Sequence, residues 1–185
     1  MSNAAALIAR WRVRLGYVLA VLVLFFARPS PPIVAIGALV GIVGLWLRAY
    51  AAGYLHKQEV LTVTGPYAYT RNPLYLGSAV LALGAGIATH SWISGAILLI
   101  YFAVVYSVVM RREEGELLGH HGAAFQEYAA AVPLFLPRLT AARLPVASAG
   151  QFSFAQYKKN HEYQAALGYL LLQVALLILW RLRLR

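Results

Sequence analysis

One arginine and a pair of glutamates are the residues of this sequence whose types and spacing could do chemistry. Arg71 lies in Gly65-Pro66-Tyr67-Ala68-Tyr69-Thr70-Arg71-Asn72-Pro73-Leu74-Tyr75-Leu76-Gly77, thirteen residues with two prolines, two glycines and three tyrosines. Such a stretch cannot form one regular helix, because Pro66 lacks a backbone donor and Pro73 pushes Asn72 out of the helical region. Pro73 is nevertheless suited to the first position of a helix, with Asn72 as its N-cap. The spacing predicts a rigid, tyrosine-lined loop ending at a helix N-terminus, with the Arg71 guanidinium held at its mouth. A helix N-terminus plus an arginine is a receptor for a carboxylate. The acidic counterpart, Glu113-Glu114, follows closely on Trp92 to Met110, nineteen residues without a charge.

These groups must be positioned by the apolar segments between them. Tyr75 to Ala88 and Trp92 to Met110 read as two spans, and Thr89-His90-Ser91 is too short for anything but a helical hairpin. A hairpin returns to the side from which it started. Arg71, Asn72 and Tyr75 should therefore lie close to Arg111, Glu113 and Glu114. A cationic and an anionic cluster meeting at the membrane surface suit a zwitterionic ligand.

Composition supports the membrane setting. Of 185 residues, 61% are hydrophobic and 12% charged, and the mean hydropathy is +0.66. Globular domains average about 45–50% apolar. The chain reads as one all-α integral membrane domain over residues 1–185, with a core at about 45–137 and a linker plus C-terminal helix over 138–185. Five apolar runs are expected to cross: Leu15–Ala27, Ile33–Leu47, Tyr75–Ala88, Trp92–Met110 and Ala165–Trp180. Gly37, Gly41 and Gly44 stand at the spacing of close helix packing. Ser2 to Arg14 reads as an interfacial helix leading into the first run, which lacks a cleavage site and so reads as an anchor. Arg111 to Glu116 should end the fourth span abruptly. Leu117, Leu118, His121, Phe125 and Tyr128 then predict an amphipathic helix along the membrane surface, closed by Pro133 and Pro137.

The net charge is +10, from 16 Lys and Arg against 6 glutamates, with no aspartate. The basic residues flank apolar runs, so they set orientation, and anionic lipid headgroups are a better partner for them than nucleic acid. Their alternation places the N-terminus and both polar segments, 48–74 and 111–138, on the cytoplasmic side. Arg181, Arg183 and Arg185 conflict with this if the fifth run spans. Either these late charges are outvoted or the run lies along the interface; spanning is the favoured reading. The chain has no cysteine, which excludes disulfides, thiolate catalysis and cysteine-held metals. His120 and His121 point to different sides of a helix, and no metal site is expected.

The ordered set Gly65-Pro66-Tyr67-x-Tyr69-x-Arg71-Asn72-Pro73-x-Tyr75-x-Gly77, an apolar hairpin, Glu113-Glu114-x-x-Leu117, Phe125-x-x-Tyr128 and Val132-Pro133 resembles the isoprenylcysteine carboxyl methyltransferase and phospholipid methyltransferase family. The resemblance covers about residues 45–137. It implies an integral membrane enzyme that binds S-adenosylmethionine in a cytosolic-side pocket, in a bacterial member at the inner membrane. A lipid-like or prenylated substrate would enter from the bilayer. Arg71 and Asn72-Pro73 match the family's Arg-His-Pro, and Glu113 and Glu114 its acidic pair. Leu61, Gly65, Pro66, Tyr67, Pro73 and Tyr75 fall with residues near the cofactor, and Lys57 is a further candidate contact. The resemblance thus makes Arg71 and Glu114 the catalytic candidates.

Asn72 stands where eukaryotic carboxyl methyltransferases have histidine, and an amide cannot take a proton near neutral pH. Sterol reductases resemble this fold too, but favour an acidic residue just after Tyr-x-Gly, where this chain has Ser78. Methyl transfer to a carboxylate is the preferred expectation, because no base for an amine acceptor stands out. Methylation of a phospholipid or other amine, and a non-catalytic protein retaining the fold, are the alternatives.

Overall fold

The structure, a computed structural model, describes residues 16, 18–56, 60–144 and 150–184. The expected interfacial segment Ser2–Arg14 and the candidate Lys57 lie outside them. The regular structure of the described residues is all helical, with no strand among them. Residues 18–26 form α1. There follow α2 (Pro31–Tyr54), a 3-10 turn (Gly65–Ala68), α3 (Pro73–Thr89), α4 (Trp92–Ala131), α5 (Phe154–Lys159) and α6 (Tyr163–Arg183). Three of these, α2, α4 and α6, are long and apolar enough to cross a bilayer, and α3 is a shorter apolar helix of 17 residues. The expected first span falls partly outside the described residues.

Two helices run further than their composition suggests. The second passes Leu47 and carries Arg48, Tyr50 and Tyr54 on its last turns. The fourth does not end at Met110. It continues through Arg111–Glu116, whose arginines and glutamates are good helix formers and outweigh Gly115, and Arg112 pairs with Glu116 one turn on at 2.8 Å. Its break comes at Gly122, with φ 50° and ψ −121°, a conformation that glycine adopts without steric cost.

The chain divides into two compact units. The first comprises residues up to Gly44, Ala79–Val109 and Ala166 onward. Here α2 and α3 approach backbone to backbone. A Cβ on Gly37 would lie 2.5 Å from the Gly84 carbonyl oxygen, and one on Gly84 would lie 2.7 Å from the Gly37 carbonyl oxygen. Tyr169 of α6 lies over Gly41 and donates its hydroxyl to the Gly37 carbonyl at 2.8 Å. Further along α6, Leu176 is fully buried against Ala27, Val34 and Ala88. Arg183 then donates to the carbonyls of Ala27 and Phe25. As α6 advances, its partners step back from Gly41 to Ala27, so the two helices run antiparallel along their length. This packing gives Arg183 a local task. Its guanidinium satisfies carbonyls that the end of α1 leaves without helical partners. Arg183 therefore has a structural role of its own, whatever its part in orientation.

Gly84→Val tests the close approach. Backbone atoms of α2 cannot swing away as a side chain can, so the helices must separate, at a cost of about 3 kcal/mol. Thermal unfolding in detergent should show a lowered midpoint for Gly84→Val. Gly95→Ala should show no loss, because an added Cβ there meets nothing within 4 Å.

Candidate functional site

The second unit, Leu45–Ser78 with Met110–Ala165, holds every candidate residue read from the sequence. Its loop begins at Gly65, whose φ of +59° lies in the left-handed region. A Cβ there would also sit 2.5 Å from the Tyr54 ring, so glycine is required twice over. Pro66 opens the 3-10 turn, where a missing backbone donor costs nothing. Leu61 and Val63 lead into the loop and are buried against Phe125, Tyr128 and Val132, the stretch after the Gly122 break. Tyr128 donates its hydroxyl to the Tyr67 carbonyl at 2.8 Å.

The outgoing half of the loop is held by residues 133–142. The Arg71 amide donates to the Pro133 carbonyl at 3.0 Å. The amides of Arg138 and Ala142 donate to the carbonyls of Tyr69 and Ala68, each at 2.9 Å. Thr70, 2% exposed, donates its hydroxyl to the Phe135 carbonyl at 2.9 Å. The Asn72 carbonyl accepts from Leu76 at 3.0 Å, so Asn72 does stand at the start of α3. Its side-chain amide, however, donates to the Leu134 carbonyl at 2.9 Å. It ties two loops together.

The charged groups meet as the hairpin predicts. Arg71 Nη1 lies 2.6 Å from Glu114 Oε1, with the two side chains 16% and 25% exposed. The neighbouring carboxylate is engaged by α3: the Tyr75 hydroxyl donates to Glu113 Oε1 at 2.6 Å. Two polar atoms of the cluster, Arg71 Nε and the Tyr67 hydroxyl, are buried with no hydrogen-bond partner. Burial pushes the Tyr67 phenol well above its ordinary range, and Tyr128, Glu113, Glu162 and Tyr75 push in the same direction. The phenol therefore keeps its proton and is available as a donor.

Three further polar residues join the cluster without having been read from the sequence as part of it. Arg48 makes a two-pronged ion pair with Glu162, Nε to Oε2 at 3.0 Å and Nη2 to Oε1 at 2.8 Å. Its third nitrogen donates to the Ser78 hydroxyl and to the Leu74 carbonyl in the first turns of α3. The segment that brings Glu162 is fastened to the end of α2. Phe152 fits the dent left by Gly53 and stacks on Tyr50. Gln156 donates to the Leu55 carbonyl at 2.5 Å, and Asn160 to those of Ala52 and Leu55 at 2.8 and 3.0 Å. These are carbonyls that a helix C-terminus leaves unsatisfied. The sequence does hold a signal for the pair. Arg48 is the lone charge between Arg28 and Lys57, and Glu162 the lone acid after Glu127. A charge isolated in an apolar stretch, as Arg48 is, needs a partner.

Fold and site together define a helical membrane protein with an ion-paired polar cluster where a helical hairpin closes. The family profile described as phospholipid methyltransferase matches residues 11–123, more than half of the chain, and the protein belongs to that family. It is 36% identical over 139 residues to the cobalt-zinc-cadmium resistance protein CzcN of Cupriavidus metallidurans, covering 70% of this chain and 63% of that one. It is 40% identical over 96 residues to the nickel-cobalt-cadmium resistance protein NccN of Alcaligenes xylosoxydans xylosoxydans, covering 52% and 44%. The protein-S-isoprenylcysteine O-methyltransferase of Schizosaccharomyces pombe is 28% identical over 82 residues, covering 44% and 35%. The chain thus spans less than two thirds of the length of each of these relatives. No solved structure matches it.

Proposed function

We propose that the chain is an S-adenosylmethionine-dependent methyltransferase that acts on a lipid-like acceptor at the cytoplasmic face of the bacterial inner membrane. The observation that supports this most is the Arg71–Glu114 pair. A guanidinium and a carboxylate 2.6 Å apart are the complement of an amino-acid zwitterion. Arg71 suits the methionine carboxylate, and Glu114 the ammonium. The buried Arg71 Nε and Tyr67 hydroxyl fit the same ligand, because each is a donor in want of an acceptor. Leu61, Gly65, Pro66, Pro73, Tyr75 and Glu113 complete the surround, and Asn72 holds the loop through Leu134.

When bound, the cofactor supplies an electrophilic methyl group that carries its own leaving group. The residues of the chain then need to position and to exclude water more than to move protons. Tyr67, kept protonated, is no base, and the Glu113 carboxylate accepts the Tyr75 proton. A carboxylate acceptor, already deprotonated, fits such a site better than an amine. The metals in the relatives' names are not carried over as ligands, because among the described residues no three His, Cys, Asp or Glu side chains could hold an ion.

The test is to incubate membranes containing the protein with methyl-labelled cofactor, extract the lipids and treat them with alkali. Label released as methanol marks an ester and supports the carboxylate reading. Label that survives marks an N-methyl group and moves the reading to the amine. Lipids without label would overturn the catalytic reading, and no binding of S-adenosylhomocysteine at millimolar concentration would overturn the cofactor. Tyr67→Phe adds a finer check. Removing an unpaired buried hydroxyl should change stability by under about 0.5 kcal/mol, whereas a donor used by the ligand is worth about 1 kcal/mol, or roughly fivefold in affinity.

A further inference from the structure

Residues 133–143 leave two large apolar side chains in the open. Leu136 is 74% exposed and Leu139 fully exposed. They are flanked by Pro137, Arg138 and Arg143, and from Tyr128 to His161 the chain carries four basic residues and no acid. Arg138 also anchors the segment from below by donating to the Ala131 carbonyl at 2.6 Å. The segment is tied to the start of α3. Its Pro133 and Leu134 carbonyls accept from Arg71 and Asn72, the residues immediately before Pro73, where the apolar helix α3 begins. The start of an apolar membrane helix is where hydrocarbon gives way to headgroups. Exposed leucines beside arginines at this level match a lipid surface on both counts, apolar burial and charge.

We propose that residues 133–143 form an arm seated in an anionic lipid surface, with Leu136 and Leu139 at the acyl boundary and Arg138 and Arg143 among phosphates. Through its hydrogen bonds to Ala68, Tyr69, Thr70, Arg71 and Asn72, the seated arm sets the depth of the Arg71 loop. The proposal needs only the membrane setting of the family, and stands whether or not the cluster takes a nucleoside ligand.

Because the chain has no cysteine, a single one can be placed and labelled without background. Leu139→Cys and, separately, Leu136→Cys in the full chain would carry an environment-sensitive dye. The protein is reconstituted in vesicles of equal parts phosphatidylglycerol and phosphatidylcholine containing a shallow spin-labelled lipid. Gln126→Cys, exposed on α4, is the water-facing control. The expected result is blue-shifted emission at both leucine positions and quenching at least about twofold stronger than at the control, weakening in pure phosphatidylcholine or on adding Arg143→Glu. Quenching no stronger than the control at both positions would overturn the proposal. Blue-shifted emission that the spin-labelled lipid does not quench would overturn it in favour of a protein partner or a second copy of the chain.

Discussion

Replacing Arg71 with alanine is expected to lower the affinity for S-adenosylhomocysteine by about 100-fold, equivalent to about 2.7 kcal/mol. Two losses combine. The ligand carboxylate loses a charge-assisted partner in a site only 16% open to water, and the loop loses the donor that holds Glu114 in place. Glu114→Gln keeps size and shape but not charge, and should cost about tenfold to 100-fold by the same reasoning. Since each residue orients the other, the double variant should lose less than the two single losses added together. Stability should move less than affinity, because Glu114 at 25% exposure can recover water once its partner is gone. The measurement is equilibrium binding in detergent micelles beside thermal unfolding of the same samples. Unchanged affinity in both single variants would remove the zwitterion receptor and with it the proposed cofactor site.

Arg48→Ala should produce the largest loss of stability among polar substitutions in the second unit. Arg48 and Glu162 are 19% and 11% exposed, and removing one leaves the other charged, poorly hydrated and unpaired. The expected cost is about 3 kcal/mol, or roughly 6–12 °C in the midpoint for a chain of this size. Removal also leaves the Leu74 carbonyl and the Ser78 hydroxyl without the guanidinium, so the first turns of α3 lose a tie to α2. The double variant Arg48→Ala with Glu162→Ala should recover part of the loss, because no uncompensated charge remains. Arg48→Lys should recover little, since one ammonium cannot serve a carboxylate edge and two acceptors on α3 at once. Equal midpoints for Arg48→Ala and the native chain would show the pair to be a bystander.

Much of the site was legible in advance because it follows from short-range rules. Two prolines and a glycine at fixed places in residues 65–73 permit few backbone paths, and the observed turn and helix start obey them. The meeting of Arg71 with the glutamates was legible for a topological reason: a hairpin with a turn at His90 must bring its ends together. The boundary read at Arg111–Glu116 was that of the apolar span, with an amphipathic helix following from Leu117. The i, i+4 pair of Arg112 and Glu116 instead carries the helix past the apolar run, and Gly122 supplies the break.

What the sequence by itself determined is thus the all-helical, apolar class, the shape of the loop, the family, and the meeting of Arg71 with the acidic pair at Glu114. All of these depend on neighbours within a few residues or on the return of one hairpin. Only the tertiary structure decided that Arg71 takes Glu114 while Glu113 takes Tyr75, and that the Asn72 amide serves Leu134. It alone paired Arg48 with Glu162, 114 residues away. Those choices turn on which side chains packing leaves within about 3 Å of each other. No local pattern encodes them, because a carboxylate can accept from any donor, charged or neutral, that the fold delivers.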